Sequence, residues 1–243
     1  SCKMAEGPNR KGSSRKNIMA EIDASLKRLQ MDYVDVYLLH RWDWTTPIEE
    51  TMEAMNDVVK AGKARYIGAS SMYAWQFEKA YQIAKANHWA NICMQNHVNL
   101  IYREEEREML YACEEEGVVC TPYSPLASGK LTDPWGTQTR RALNDVQVQK
   151  KYARTEAVDK PIVDRVEKLA KERGVSMAQI AMAWLLQKPP IQAPILGVTE
   201  NYMIDEAIAA VDLQLTKDEI TYLEELYVPH KMMGPAAKDG SLY

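Results

Sequence analysis

Short apolar runs recur along this chain at a nearly constant interval, and that interval limits the folds open to it. Strand-like runs begin near Val34, Ala64, Ile92 and Val118, with helical periodicity between them. A βαβα rhythm at roughly 25–30 residues per unit calls for parallel strands joined by crossover helices. The run Tyr33-Val-Asp-Val-Tyr-Leu-Leu-His40 is the clearest. Its residues favour a pleated, half-buried surface, and Val34 to Leu39 is too short for a free-standing helix. The strand closes on a histidine. Parallel α/β folds bind ligands at the carboxyl ends of their strands, which makes His40 a candidate functional residue. A histidine that simply ends a strand is the plainer alternative.

Around this strand the elements fall into order. Ser13 or Ser14 can cap a helix to about Gln30, with Ile18, Ile22, Leu26 and Leu29 as its buried stripe. Pro47 suits the first position of the next helix, which Gly62 ends. Further helices are predicted over Tyr73–Asn87 and Tyr102–Glu116, and further strands over Ala64–Ser71, Ile92–His97 and Val118–Ser124. The rhythm then breaks from Pro125 to about Asp159, a stretch that holds Pro134-Trp135-Gly136 and Arg140-Arg141. A loop this long in a compact domain is usually functional or mobile. Helices over Lys160–Arg173 and Ser176–Gln187 follow, then a last strand at Ile191–Gly197 and a helix at Asn201–Val211. Thr216 and Glu219 have the spacing of a capping box that opens a final helix to about Leu226. The tail from Tyr227 is expected to be loose or draped over the surface, and Gly7-Pro8-Asn9 marks a turn in the opening loop.

Five strands are visible. An open doubly wound sheet usually carries a Gly-rich first turn, and this chain has no G-x-G-x-x-G. Polar residues end almost every strand instead, which suits a barrel whose loops converge on one rim.

Composition narrows the partners. The 243 residues are 46% hydrophobic and 26% charged, ordinary for a globular protein with a sizeable core. A net charge of -4 argues against a nucleic-acid partner, and no apolar segment could span a membrane. Four cysteines without metal-ligand spacing read as free thiols in a reducing, cytoplasmic compartment. His88, His97 and His230 stand apart from carboxylate or thiol clusters, so no metal site is expected and they read as structural or solvated. Glu104–Glu108 and Glu114–Glu116 read as solvated helix faces. Trp42, Trp44 and Trp135 either line an apolar pocket or pack loops.

Several motifs then stand in a telling order: Leu38-Leu-His-Arg-Trp-Asp43, Ile67-Gly-Ala-Ser-Ser71, Met94-Gln-Asn96, Tyr123-Ser-Pro-Leu126 and Pro194-Ile-Leu-Gly197. Together they resemble the aldo-keto reductase superfamily, in particular its bacterial and potassium-channel-β-like branch. The Tyr102-Arg-Glu-Glu-Glu106 helix start and the Tyr227-Val-Pro-His230 tail add to the likeness. The resemblance implies a (β/α)8 TIM barrel in a single domain over residues 1–243, N-terminally incomplete, with about five of the eight strands present. It implies NADP(H)-dependent reduction of an aldehyde or ketone. Of the family's catalytic Asp, Tyr, Lys and His, only the histidine carries over, to His40, so the 243-residue chain alone is expected to reduce carbonyls poorly. The alternative is a catalytically weak nicotinamide-binding module or a redox-sensing subunit.

By the same resemblance, Ser70, Ser71 and Gln95 hold the nicotinamide carboxamide, which offers both a donor and an acceptor. Tyr123 stacks on the nicotinamide face. Ser124, Leu126, Ser128 and Lys130 follow the pyrophosphate, with Gly129 allowing close backbone approach. Thr199 fits the adenosine end, but Glu200 has the wrong charge for a 2′-phosphate. Lys130, Arg140 or Arg141 would have to compensate. NADP is therefore the expected cofactor, with NAD possible.

Overall fold

The computed structural model describes residues 11–89, 92–137, 152 and 154–235. The opening Gly7-Pro8-Asn9 turn and the Arg140-Arg141 pair lie outside them. The chain forms two compact units. The first comprises Ser1–Asn96, Glu108–Cys120 and Met232–Tyr243, and the second His97–Arg107 and Thr121–Lys231.

The first unit is built on three parallel strands, β1 (Val34–Leu39), β2 (Ala64–Ser70) and β3 (Ile92–Gln95), in that spatial order. Helices α1 (Arg15–Leu29), α2 (Ile48–Lys60), α3 (Ala74–Ala86) and α4 (Met109–Glu115) belong to the same unit. Ile18, Ile22 and Leu26 form the buried stripe of α1, and Met52, Met55 and Val58 that of α2. Leu29, expected in the α1 stripe, is exposed. Pro47 stands one residue earlier than expected, as the α2 N-cap.

Two other expectations needed correction. The Tyr102–Glu116 helix is broken into a 3-10 turn, Glu104–Arg107, and α4, with Glu108 between them out of helical geometry at φ -143°. The runs at Val118–Ser124 and Ile191–Gly197 are not full strands. They make isolated parallel bridges, Met94 with Cys120 in the first unit, and His97 with Tyr123 and Tyr123 with Ile195 in the second. Pro122, Pro125 and Pro194 have no N–H to give a ladder, and Ser124 turns away at φ +55°. Three strands of sheet are therefore described where five were expected.

The second unit carries α5 (Glu156–Arg173), α6 (Met177–Leu186), α7 (Tyr202–Ala209) and α8 (Lys217–Glu224). Helix α5 starts four residues before the expected Lys160 and holds Pro161 inside its first turns. Capping boxes open α6 at Ser176 with Gln179, and α8 at Thr216 with Glu219. Trp184 and Lys188 both donate to Glu224 Oε1 at 2.7 Å, which ties α6 to α8. No helix among the described residues is long and apolar enough to cross a membrane.

The tail from Tyr227 is anchored as far as His230. Its Tyr227 hydroxyl and His230 backbone N–H donate to Glu104 Oε1 at 2.7 and 2.6 Å. Glu104 and Glu105 are buried, contrary to the expected solvated face. A carboxylate taken from water needs such partners, and Glu104 has a third in Arg107, at 2.9 Å.

Candidate active site

In the first unit the candidate residues gather at one edge of the sheet. Leu39 is in register with Ala69, and Ser70 with Gln95. His40 therefore follows the end of β1 beside Ser70, while β2 and β3 end on the polar Ser70 and Gln95. Ser70 and Ser71 are buried, with hydroxyl oxygens 3.3 Å apart. The Ser71 backbone N–H donates to the Gln95 carbonyl at 3.2 Å and to Asn96 Oδ1 at 2.8 Å. Those two acceptors hold Ser71 at φ +52°, a left-handed conformation unusual for serine. The Ser70 and Ser71 hydroxyls and the Gln95 amide are thus offered at one strand edge. His40 is half-buried there.

The loop after His40 is pinned by Asp43. Its Oδ2 accepts from the Ser13 backbone N–H and the Thr46 hydroxyl, both at 2.7 Å. Its Oδ1 accepts from Thr45 N–H at 2.9 Å and the Thr45 hydroxyl at 2.7 Å. Burial works to raise the Asp43 pKa, but these hydrogen bonds outweigh it and hold the carboxyl at about 2. Trp42 packs edge-on against both Trp44 and Trp75, which are tilted against each other, with centroids 5.6 to 6.3 Å apart.

The second unit holds the remaining candidates. Tyr123 is bridged to His97 on one side and Ile195 on the other, and is half-buried. Beyond it the chain makes a tight turn with three consecutive positive φ values, Ala127 at 48°, Ser128 at 59° and Gly129 at 100°. The turn is closed by its own backbone: Ala127 N–H donates to the Ser124 carbonyl at 3.0 Å and Gly129 N–H to the Leu126 carbonyl at 2.9 Å. Leu126 precedes the turn and Lys130 follows it. The Lys130 ammonium lies 4.5 Å over the Trp135 ring and 3.6 Å from Glu156. Ser124 turns at φ +55°, and its carbonyl accepts from Asn99 Nδ2 at 2.9 Å. Thr199 is exposed and donates to Met203 Sδ at 3.8 Å.

Three supporting residues escaped the sequence reading. Asn96 holds Ser71, Asp43 holds the loop after His40, and Asn99 holds Ser124. Asn96 had a visible signal, a second polar residue at the end of a buried strand. Beside their local partners, Asp43 and Asn99 reach Ser13 and Ser124, 30 and 25 residues away, which local pattern does not reveal.

Parallel strands that end on such a polar set place it where α/β folds bind ligands. The aldo/keto reductase family profile matches residues 1–228, and the chain belongs to that family. It is 51% identical over 224 residues to a versiconal hemiacetal acetate reductase of Aspergillus parasiticus, covering 91% of this chain and 65% of that protein. It is 46% identical over 229 residues to an aldo-keto reductase of Fusarium vanettenii, covering 93% of this chain and 61% of that one. The chain thus spans less than two thirds of the length of these relatives. Among solved structures, a thermostable aldo-keto reductase in complex with the inhibitor epalrestat superposes with a TM-score of 0.68 at 30% identity. That match covers 88% of this chain and 67% of the other.

Proposed function

We propose that this chain serves NADP(H)-dependent reduction of aldehydes or ketones to alcohols. The observation that carries the reading is the strand edge of the first unit, where His40, Ser70, Ser71 and Gln95 terminate three parallel strands. Bound reduced nicotinamide would supply the hydride. Ser70, Ser71 and Gln95 have the mixed donors and acceptors that its carboxamide requires. His40 would donate a hydrogen bond to the carbonyl oxygen, and a single such donor is typically worth about 3–4 kcal/mol of barrier.

In the second unit, Tyr123 would stack on the nicotinamide. Ser124, Leu126, Ser128 and Lys130 would follow the pyrophosphate along the left-handed turn, and Thr199 would meet the adenosine end. NADP is the leading cofactor by family, and the acidic Glu200 beside Thr199 favours a weakened preference over NAD. The likeness to a reductase named for a hemiacetal ester supports a small carbonyl compound as substrate.

Titrating NADPH and NADH separately, then following NADPH oxidation with a generic aldehyde, tests this. Binding with weak turnover supports the proposal, since His40 is the one member of the family's catalytic set that carries over; robust turnover would overturn the expectation of a poorly active chain. Binding without turnover favours the cofactor-binding module. A chain that binds neither nucleotide refutes both readings.

A further inference from the structure

We propose that His97 is a positioning residue for Tyr123, fixing the ring on which the nicotinamide stacks. This rests on the cofactor reading given above and deepens it.

The geometry is a graded stack of three rings within the second unit. Tyr102 and His97 lie 4.3 Å apart, inclined by 16°, and His97 and Tyr123 lie 5.2 Å apart, inclined by 11°. Tyr102 and His97 are almost fully buried, whereas Tyr123 is half-buried. The stack therefore runs from the interior outward and has its most accessible ring last. A parallel bridge between His97 and Tyr123 holds the two backbones in register.

The imidazole is also held at its edge. Ile101 N–H donates to Asn99 Oδ1 at 3.1 Å, which identifies that atom as the carbonyl oxygen and the other as the NH2 group. That NH2 donates to the Ser124 carbonyl and lies 3.0 Å from His97 Nε2. An amide NH2 has no lone pair to offer, so Nε2 accepts and the ring proton sits on Nδ1. The Tyr152 hydroxyl also reaches Nε2, at 3.1 Å. One asparagine thus fixes both the tautomer of His97 and the Ser124 carbonyl next to Tyr123. The uncharged tautomer matters for the platform. A cation behind Tyr123 would compete for the electron density that a positively charged, oxidised nicotinamide needs from the other face.

The test compares His97→Leu and His97→Phe in the 243-residue chain, with NADPH and with adenosine 2′,5′-bisphosphate, which lacks the nicotinamide. His97→Leu is expected to weaken NADPH binding about three- to tenfold and to blunt the change in NADPH emission, as loss of one aromatic contact implies. His97→Phe, which keeps a flat ring, is expected to stay within about twofold. Bisphosphate affinity should be unchanged in both.

A Leu variant that loses both ligands equally, or neither, overturns the proposal. Should the Leu variant fail to fold, the Phe variant decides: near-normal NADPH binding supports the stack, and selective loss of NADPH overturns it. An unaltered chain that binds neither ligand overturns the cofactor reading and this inference with it. An unaltered chain that binds NADPH but ignores His97→Leu overturns the inference alone.

Discussion

Asp159 Oδ1 and His230 Nε2 meet at 2.8 Å, with side chains 0% and 2% exposed respectively. The other imidazole nitrogen faces the Val228 carbonyl at 2.5 Å. The Asp159 carboxylate and the Val228 carbonyl both accept, so the pair of contacts favours the doubly protonated imidazolium. Thr155 donates to the second Asp159 oxygen at 2.6 Å, and the Tyr227 ring stacks 5.3 Å from His230. The tail is thereby clamped to α5 by a charged pair.

This pair sets a pH dependence. Burial acts to lower the His230 pKa, but the hydrogen bond and charge of Asp159 outweigh it, helped by Val228 and Glu104, and the value lies above the ordinary one. A raised folded-state pKa stabilises fully below the unfolded value of about 6.5 and is lost as pH rises through the folded value. The melting-temperature gap between the chain and His230→Gln should therefore be largest at the acid end and close with alkalinity. A gap that widens with pH would sink the assignment.

Glu104 supports the same clamp by taking two donors on one oxygen. Glu104→Ala leaves the Tyr227 hydroxyl and His230 N–H without this acceptor and should cost about 2–4 kcal/mol in urea unfolding. Glu104→Gln keeps a carbonyl oxygen in place and should cost roughly half as much. Equal losses would show that charge, not hydrogen bonding, is what matters there.

Asp43 works in the opposite sense of pH. Its carboxyl titrates at about 2, below the usual carboxylate range. Its contribution is complete above about pH 4 and disappears as pH falls through the folded value. Asp43→Asn would turn an NH2 group toward donors from Ser13, Thr45 and Thr46, and should cost about 1–3 kcal/mol at neutral pH. Denaturant melts at neutral pH and near the acid limit check this, because the difference should shrink in acid.

Gly68 sits where β1, β2 and β3 crowd together. A Cβ there would lie 2.3 Å from Leu38 Cδ2, 2.6 Å from Cys93 Sγ and 3.0 Å from the Cys93 carbonyl. Gly68→Ala should destabilise the first unit by about 1–3 kcal/mol through overpacking. Calorimetry showing an unchanged or higher melting temperature would mean that the sheet yields more easily than the spacing implies.

Much of this was legible in the sequence. β1 runs over the expected residues, and Thr216 caps α8 as its spacing indicated. His40, Ser70, Ser71 and Gln95 fall at one strand edge because strand periodicity is a local property that survives folding. The shortfalls have a different origin. Glu104 read as solvated because its charged neighbours are adjacent in sequence, whereas its hydrogen-bond donors lie more than 120 residues away. The strands at Val118 and Ile191 looked continuous by hydrophobicity, a measure blind to the N–H groups that Pro122, Pro125 and Pro194 lack. The His97 stack is set by ring orientations, which no one-dimensional pattern encodes.

The turn at Ala127, Ser128 and Gly129 has a consequence for any effort to harden this molecule. Two side-chain-bearing residues there sit in a conformation that costs roughly 1–2 kcal/mol each. Directed evolution scored on heat resistance alone would find Ala127→Gly and Ser128→Gly early, since both relieve that cost. Such winners would gain robustness by slackening the loop proposed above to follow the pyrophosphate, so a screen must score nucleotide affinity alongside survival.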